Sequence, residues 1–217
     1  MTRYAEMPVL DAYYETIDLS KLVAAGTDDE LKRLNQKRIR KALAESAHIK
    51  EFTKLAYQQG EQPRIRDEPP LIFHNADMQQ QAAIRADAEK MVADYMASLA
   101  PERRILMQRY RFADVAMKVV GVGSVGTYCG VTLFVSGNGD PLFLQFKEAV
   151  PSVLEPYAGA SHYTHHGERV VVGQRLTQPA SDLFLGWVTA PNGRQFYVRQ
   201  LRDAKIKPLV ETFDEEL

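Results

Sequence analysis

The chain has 217 residues, 45% of them hydrophobic, with 27 basic and 28 acidic side chains and a formal charge of −1; that is enough apolar material for one or two domains with a sizeable core, and the charge balance gives no global attraction to nucleic acid or anionic lipid. The single cysteine, Cys129, excludes an internal disulfide framework and fits a reducing compartment. No apolar run approaches the ~20 residues of a membrane-spanning helix, and MTRYAEMPVL lacks the apolar stretch of a secretion signal, so the expected location is the cytoplasm.

The pattern predicts a mostly helical region over residues 1–117. Val9 to Ala25 reads as one or two short helices ending at Gly26. Thr27 then has the character of an N-cap, with Glu30 as its capping-box partner, and Asp28 to Lys50 follow as a charged amphipathic helix burying Leu31, Leu34, Ile39, Ala42 and Leu43. The helical pattern stops around Gly60 and Pro63, and Ile65 to Phe73, broken by Pro69-Pro70, reads as an extended connector. Two further helices are predicted, Asp77 to Ser98 and Pro101 to Met117, the second with proline in its first turn. No internal repeat or low-complexity tract interrupts the chain.

Residues 118–206 change character. Gly121, Gly123 and Gly126 satisfy G-x-G-x-x-G between two strand-like runs. In a dinucleotide-binding βαβ unit the last glycine opens a helix. Here Thr127 to Val135 is rich in β-branched and aromatic residues, so it reads as a strand, and Ser136-Gly137-Asn138-Gly139-Asp140-Pro141 is a strong turn signal before a third strand from Leu142 to Lys147. A Rossmann unit is therefore excluded. So is a P-loop, because no Gly-Lys-Ser/Thr follows the glycines.

Ser161 to Gln178 reads as a helix stopped by Pro179 and containing Glu168, and Leu183 to Thr189 with Gln195 to Leu201 reads as a hairpin. The expected fold is α+β: a helical N-terminal half, then a five-stranded antiparallel sheet with one helix, resembling the upper lobe of a protein kinase. In such a lobe a glycine-rich loop covers the phosphates of ATP and a strand lysine binds them, held by a helix glutamate. The candidate nucleotide-binding residues are Gly121, Gly123, Ser124, Gly126, Lys147 and Glu168. Glu155 is the reserve partner for Lys147, while Glu148 should point to the opposite face of the strand. Val198 to Asp203 would lead to a hinge at the adenine. The bland alternative is a small antiparallel sheet whose lysine caps an edge.

KVVGVGSVGT, PLFLQFKEAVPSVLEPY, HGERVVVGQRLTQPASDLFLGW and FYVRQLRD resemble the central signature of a bacterial family, domain of unknown function 2252. MPVLDAYYETIDLSKL, EPPLIF and APERRILMQRYRFADVAMKVVG resemble its N-terminal part. Complete members are longer and resemble kinase-like phosphotransferases. The resemblance also implies a Gly-Asp-x-His segment, an Asp-Phe-Asp segment and an Ala-His-Ala-Arg tail, none of which occurs here. Phosphoryl transfer requires a carboxylate on the acceptor hydroxyl and acids on magnesium. The chain is accordingly expected to be a fragment or split product, with 207–217 a shortened tail. ATP is its expected ligand, magnesium only if the acids come from elsewhere, and the missing half of the same protein a possible partner. The acceptor substrate would be chosen by that other half. A non-catalytic interaction module with the same sheet is the rival expectation.

The remaining features receive plainer readings. Lys32, Arg33, Lys37, Arg38, Arg40 and Lys41 could contact nucleic-acid phosphates, but no binding motif or aromatic platform accompanies them, and a solvated helix face is preferred. His162, His165 and His166 lack the further ligands of a metal site. Trp187 and Tyr13-Tyr14 read as core or interface aromatics, Ser181-Asp182 as a turn cap, and Cys129 as unreactive for want of a neighbouring base.

Overall fold

A computed structural model describes Arg33 and residues 55–60, 62–74, 81–119, 126–178 and 181–201, with backbone alone for 81–88. The helices expected before residue 51, their caps and Tyr13-Tyr14 lie outside the described residues, apart from Arg33, which is helical and exposed. The described chain is mixed α+β. It contains β1 (Ala56–Gln59), β2 (Gln62–Ile65), β3 (Ile72–Phe73), α1 (Gln81–Ala97), α2 (Pro101–Met107), β4 (Tyr110–Lys118), β5 (Cys129–Ser136), β6 (Pro141–Glu148), α3 (Glu155–Ala158), α4 (His166–Thr177), β7 (Gly186–Thr189) and β8 (Gln195–Gln200). Strands β1 and β2 form a hairpin; the other six form one antiparallel sheet in the order β3-β4-β5-β6-β8-β7.

Two expectations need correction. The helix predicted over Pro101 to Met117 ends at Met107, where the Gln108 N–H donates to the Arg104 carbonyl and the Arg109 N–H to the Leu106 carbonyl. From Tyr110 the chain is a strand that pairs with β5 along one edge and β3 along the other. Its residues Tyr-Arg-Phe-Ala-Asp-Val-Ala-Met-Lys carry aromatic and branched side chains that suit a two-faced strand, and tertiary pairing outweighs local helix preference. This strand, which ends at Lys118, leads into the glycine segment. The second correction concerns Ile65 to Phe73, read as a connector: Ile65 closes the β1–β2 hairpin, and Ile72–Phe73 adds a sixth strand to the expected five.

The sheet buries both faces. On one, Leu142, Leu144, Phe134, Phe196 and Val198 pack with Tyr95 and Leu99 of the α1 end, Met107 and Phe184. On the other, Val131, Leu133, Val135, Phe143 and Ala116 pack beneath Ala56, Ile65 and Ile72. Alternation along β5 and β6 assigns each residue its side.

Asp114 ties the hairpin to the sheet. It follows a register irregularity between Phe112 and Asp114, and its Oδ2 accepts from the Ile65 N–H at 2.7 Å and lies 3.1 Å from His74 Nε2. His74 Nδ1 lies 2.8 Å from Asp67 Oδ1, and the His74 side chain is 8% exposed. Protonated imidazole donates from both nitrogens, so it fits between two carboxylates. The hydrogen bond to Asp114 leads in raising the His74 pKa above the ordinary 6.5, against burial, with Asp67 adding to the rise. A raised folded-state pKa gives stability that is complete below pH 6.5 and is lost as pH rises through the elevated value. Denaturant unfolding of wild type and His74→Gln between about pH 6 and about pH 9 should show a stability gap that narrows with rising pH. A gap independent of pH would contradict the protonated bridge.

Candidate functional site

Lys147 lies near the end of β6, paired with Cys129 on one side and Tyr197 on the other. Cys129 is the first residue of β5, the strand that emerges from the glycine-rich segment, so Lys147 sits beside the point where that segment re-enters the sheet. Gly121, Gly123 and Ser124 lie outside the described residues. Gly126 has φ 80°, a left-handed conformation that a side chain would strain.

Antiparallel partners share a face, so Cys129, Lys147, Tyr197 and Trp187 form a row across the sheet. Helix α4 enters over that face. His165, its N-cap, accepts from the Glu168 N–H through Nδ1 and contacts the Thr189 hydroxyl through Nε2 at 3.0 Å. The His166 N–H donates to Gln195 Oε1, and Val171 is fully buried. Gly167 permits this approach: a Cβ there would lie 2.4 Å from the Phe196 carbonyl oxygen. His165 and His166 thus have structural partners, and among the described residues no cluster of potential metal ligands forms.

The three acids weighed as partners for Lys147 differ in place. Glu168 is half-buried in the first turn of α4, and no ion pair within 4.0 Å joins it to Lys147. Glu155 is held by Arg169 at 3.0 Å, whose other terminal nitrogen donates to the Val150 carbonyl. Glu148 points to the opposite face, as alternation requires. Its side chain is 9% exposed; it accepts from Arg194 at 2.7 Å and from the Tyr128 N–H at 2.9 Å, while the Arg194 guanidinium stacks 4.2 Å from the Tyr128 ring centroid. This clamp fixes the residue just before β5.

Two cations near Lys147 escaped the sequence reading. Arg199 pairs with Gln145, the residue two before Lys147 on the same face, and Lys118 follows the Met117–Gly130 pair and so lies beside Cys129. Period-two alternation in Gln195–Gln200 gave a usable signal for Arg199, since it puts Tyr197 and Arg199 on the lysine side. Burial pushes the Cys129 thiol pKa up, while Lys147, a hydrogen bond from Gln145, Lys118 and Arg199 pull against the rise. Cys129 is a buried, protonated thiol. Asp182 does act as a turn cap, accepting from the Phe184 N–H at 2.8 Å and from the Gln200 N–H.

The chain belongs to the family described as uncharacterized protein conserved in bacteria (DUF2252), which matches residues 1–217. No curated protein and no solved structure matches it. Among the described residues, no helix is long and apolar enough to cross a membrane.

Glu148→Ala should free both the Tyr128 amide and Arg194. Hydrogen exchange at Tyr128 is expected to accelerate by about tenfold or more, given 1.5–3 kcal/mol for a hydrogen bond to a charged group, with the β5–β6 amides little changed. Unaltered exchange at Tyr128 would mean that the clamp does not anchor the segment.

Proposed function

We propose that this chain supplies the nucleotide-binding sheet of a kinase-like phosphotransferase, with ATP as the ligand. The observation that carries the reading is the position of Lys147: beside the exit of the glycine segment, on the face over which α4 enters, with no described acid paired to its ammonium. The order strand, glycine segment, strand, lysine strand, helix, hairpin agrees with a phosphate-covering loop followed by a phosphate-binding lysine.

In this reading Gly121, Gly123, Ser124 and Gly126 let backbone amides approach the β- and γ-phosphates, where a larger side chain at a glycine would obstruct. Lys147 binds the α- and β-phosphates. Glu168, in the first turn of α4, orients the lysine once α4 shifts or the side chains re-rotamerise around bound nucleotide. The chain carries no His-x-Asp, Asp-Phe-Gly or Asp-Phe-Asp segment, so by itself it binds nucleotide without transferring phosphoryl groups; magnesium and the acceptor require acids from elsewhere. A partner carrying those acids is part of the proposal.

The interaction-module reading is favoured by one feature. Val150, Val153, Leu154 and Tyr157, in and around α3, are all exposed. It makes the opposite forecast for nucleotide.

Thermal unfolding with ATP separates the two. Saturating ligand at 100 times its dissociation constant stabilises by about 2.7 kcal/mol, and Lys147→Met should remove that stabilisation while leaving the circular dichroism spectrum intact. Equal stabilisation of wild type and variant would take Lys147 out of the site, and no stabilisation of wild type would favour the interaction module.

A further inference from the structure

The sheet face that carries Lys147 holds a charge arrangement that one lysine does not explain. Arg199 lies diagonally across from Lys147, through the Gln145–Arg199 and Lys147–Tyr197 pairs. Diagonal neighbours on adjacent strands lie ~7–8 Å apart, within reach of long side chains. Lys118 flanks Cys129 from the other side. Three cationic residues therefore surround the buried end of β5.

Arg199 has no compensating group in the described structure. Its Nε is buried without a hydrogen-bond partner, and no ion pair joins the guanidinium to a described acid. A buried donor left unmade is destabilising, more so when it carries charge. Of the described acids, Asp114 is committed to Ile65 and His74, Glu148 to Arg194 on the far face and Glu155 to Arg169, while Glu168 on α4 forms no ion pair with Lys147 or Arg199. Among the described residues, Lys147 and Arg199 have no acid paired to them, and the Arg199 Nε is a donor that lacks an acceptor.

We infer that Arg199 is a second anion-binding arm beside Lys147, and that the two together recognise a multiply charged phosphate chain. A single carboxylate would leave at least one of these cations uncompensated, whereas a di- or triphosphate offers separate oxygens to an ammonium and to a planar guanidinium. The inference rests on the same face and lysine as the nucleotide reading and deepens it: Arg199 contributes to affinity through the phosphates, not the base.

Titration calorimetry on the 217-residue chain with sodium tripolyphosphate and, separately, ATP tests this, using wild type, Arg199→Gln and Arg199→Lys. Both ligands should bind wild type, and Arg199→Gln should weaken both by about tenfold, the loss of one charge-assisted hydrogen bond. Arg199→Lys keeps the charge but loses the planar fork and should fall by roughly threefold; it carries the test if the glutamine variant loses its circular dichroism signature. Tripolyphosphate binding that depends on Arg199, with no ATP binding, sustains the anion site and sinks the nucleotide reading. ATP binding unaffected in both variants overturns the role of Arg199 and leaves the nucleotide reading standing. Failure of wild type to bind either ligand overturns the site.

Discussion

The pairing of β5 with β6 is the constraint from which the rest of the sheet follows. Seven consecutive pairs run from Cys129–Lys147 to Val135–Pro141, closed by a tight turn. In that turn the Ser136 N–H donates to the Asp140 carbonyl, the Gly139 N–H donates back to Ser136, and the Ser136 hydroxyl reaches the Asp140 carboxylate. Gly139 takes φ 86°, which glycine adopts without strain. A slip of one residue would turn Lys147 and Gln145 into the core of Leu142 and Leu144, and would bring Phe146 to the cationic side. The apolar load on both faces opposes this, because Phe134, Leu142 and Leu144 on one side and Val131, Leu133 and Phe143 on the other cannot exchange places without exposing polar groups to a core. Turn geometry and two-sided burial set the same register.

With that register fixed, the end of the sheet near the glycine segment divides its charges by face. Glu148 and Lys147 are neighbours in sequence, yet one is neutralised by Arg194 on the far side while the other meets Cys129 and Tyr197. The Glu148 clamp therefore holds Tyr128, and with it the exit of the segment, without contributing an acid to the lysine face. The approach of α4 works alongside it. Gly167 lets the helix backbone lie against β8, so the N-terminal turn containing Glu168 sits over the hairpin and not out in solvent.

What the sequence disclosed depended on how local the deciding interaction was. The β5–β6 hairpin was legible because Ser136 to Pro141 is a turn signal flanked by β-rich runs, and the β7–β8 hairpin for the same reason. Helix α4 was legible but too long by five residues at its start, since Ser161 to His165 precede the first helical residue. Tyr110–Lys118 was misread because its residues tolerate a helix, and only pairing with β5, more than ten positions later, makes it a strand. Ile72–Phe73 was hidden for the same reason: two residues carry no period, and their pairing lies with Met117 and Lys118. Lys147 was conspicuous as the one cation in an apolar strand. Arg199 was not, because Val-Arg-Gln-Leu-Arg offers two arginines, and alternation puts Arg199 on the lysine side only once the strand pairing is known.

The lysine face also explains how such an arrangement is tolerated. Along β5 and β6 it passes within a few residues from a dry end, where Leu133 lies beside Val135 and Phe143 under the β1–β2 hairpin, to a cationic end at Cys129 and Lys147. Gln145 marks the boundary. It is 3% exposed, and its amide donates to the Cys129 sulfur at 3.6 Å, a weak acceptor for a buried donor. The buried Arg199 Nε, a donor without an acceptor, does not optimise a fold, since a buried hydrogen bond left unmade is destabilising. Local rules are broken in this way mainly at sites that meet a ligand, with burial elsewhere offsetting the cost. Here the offset is close at hand: the hydrophobic half of the same face, and the core beneath it, keep the register that brings the cations together.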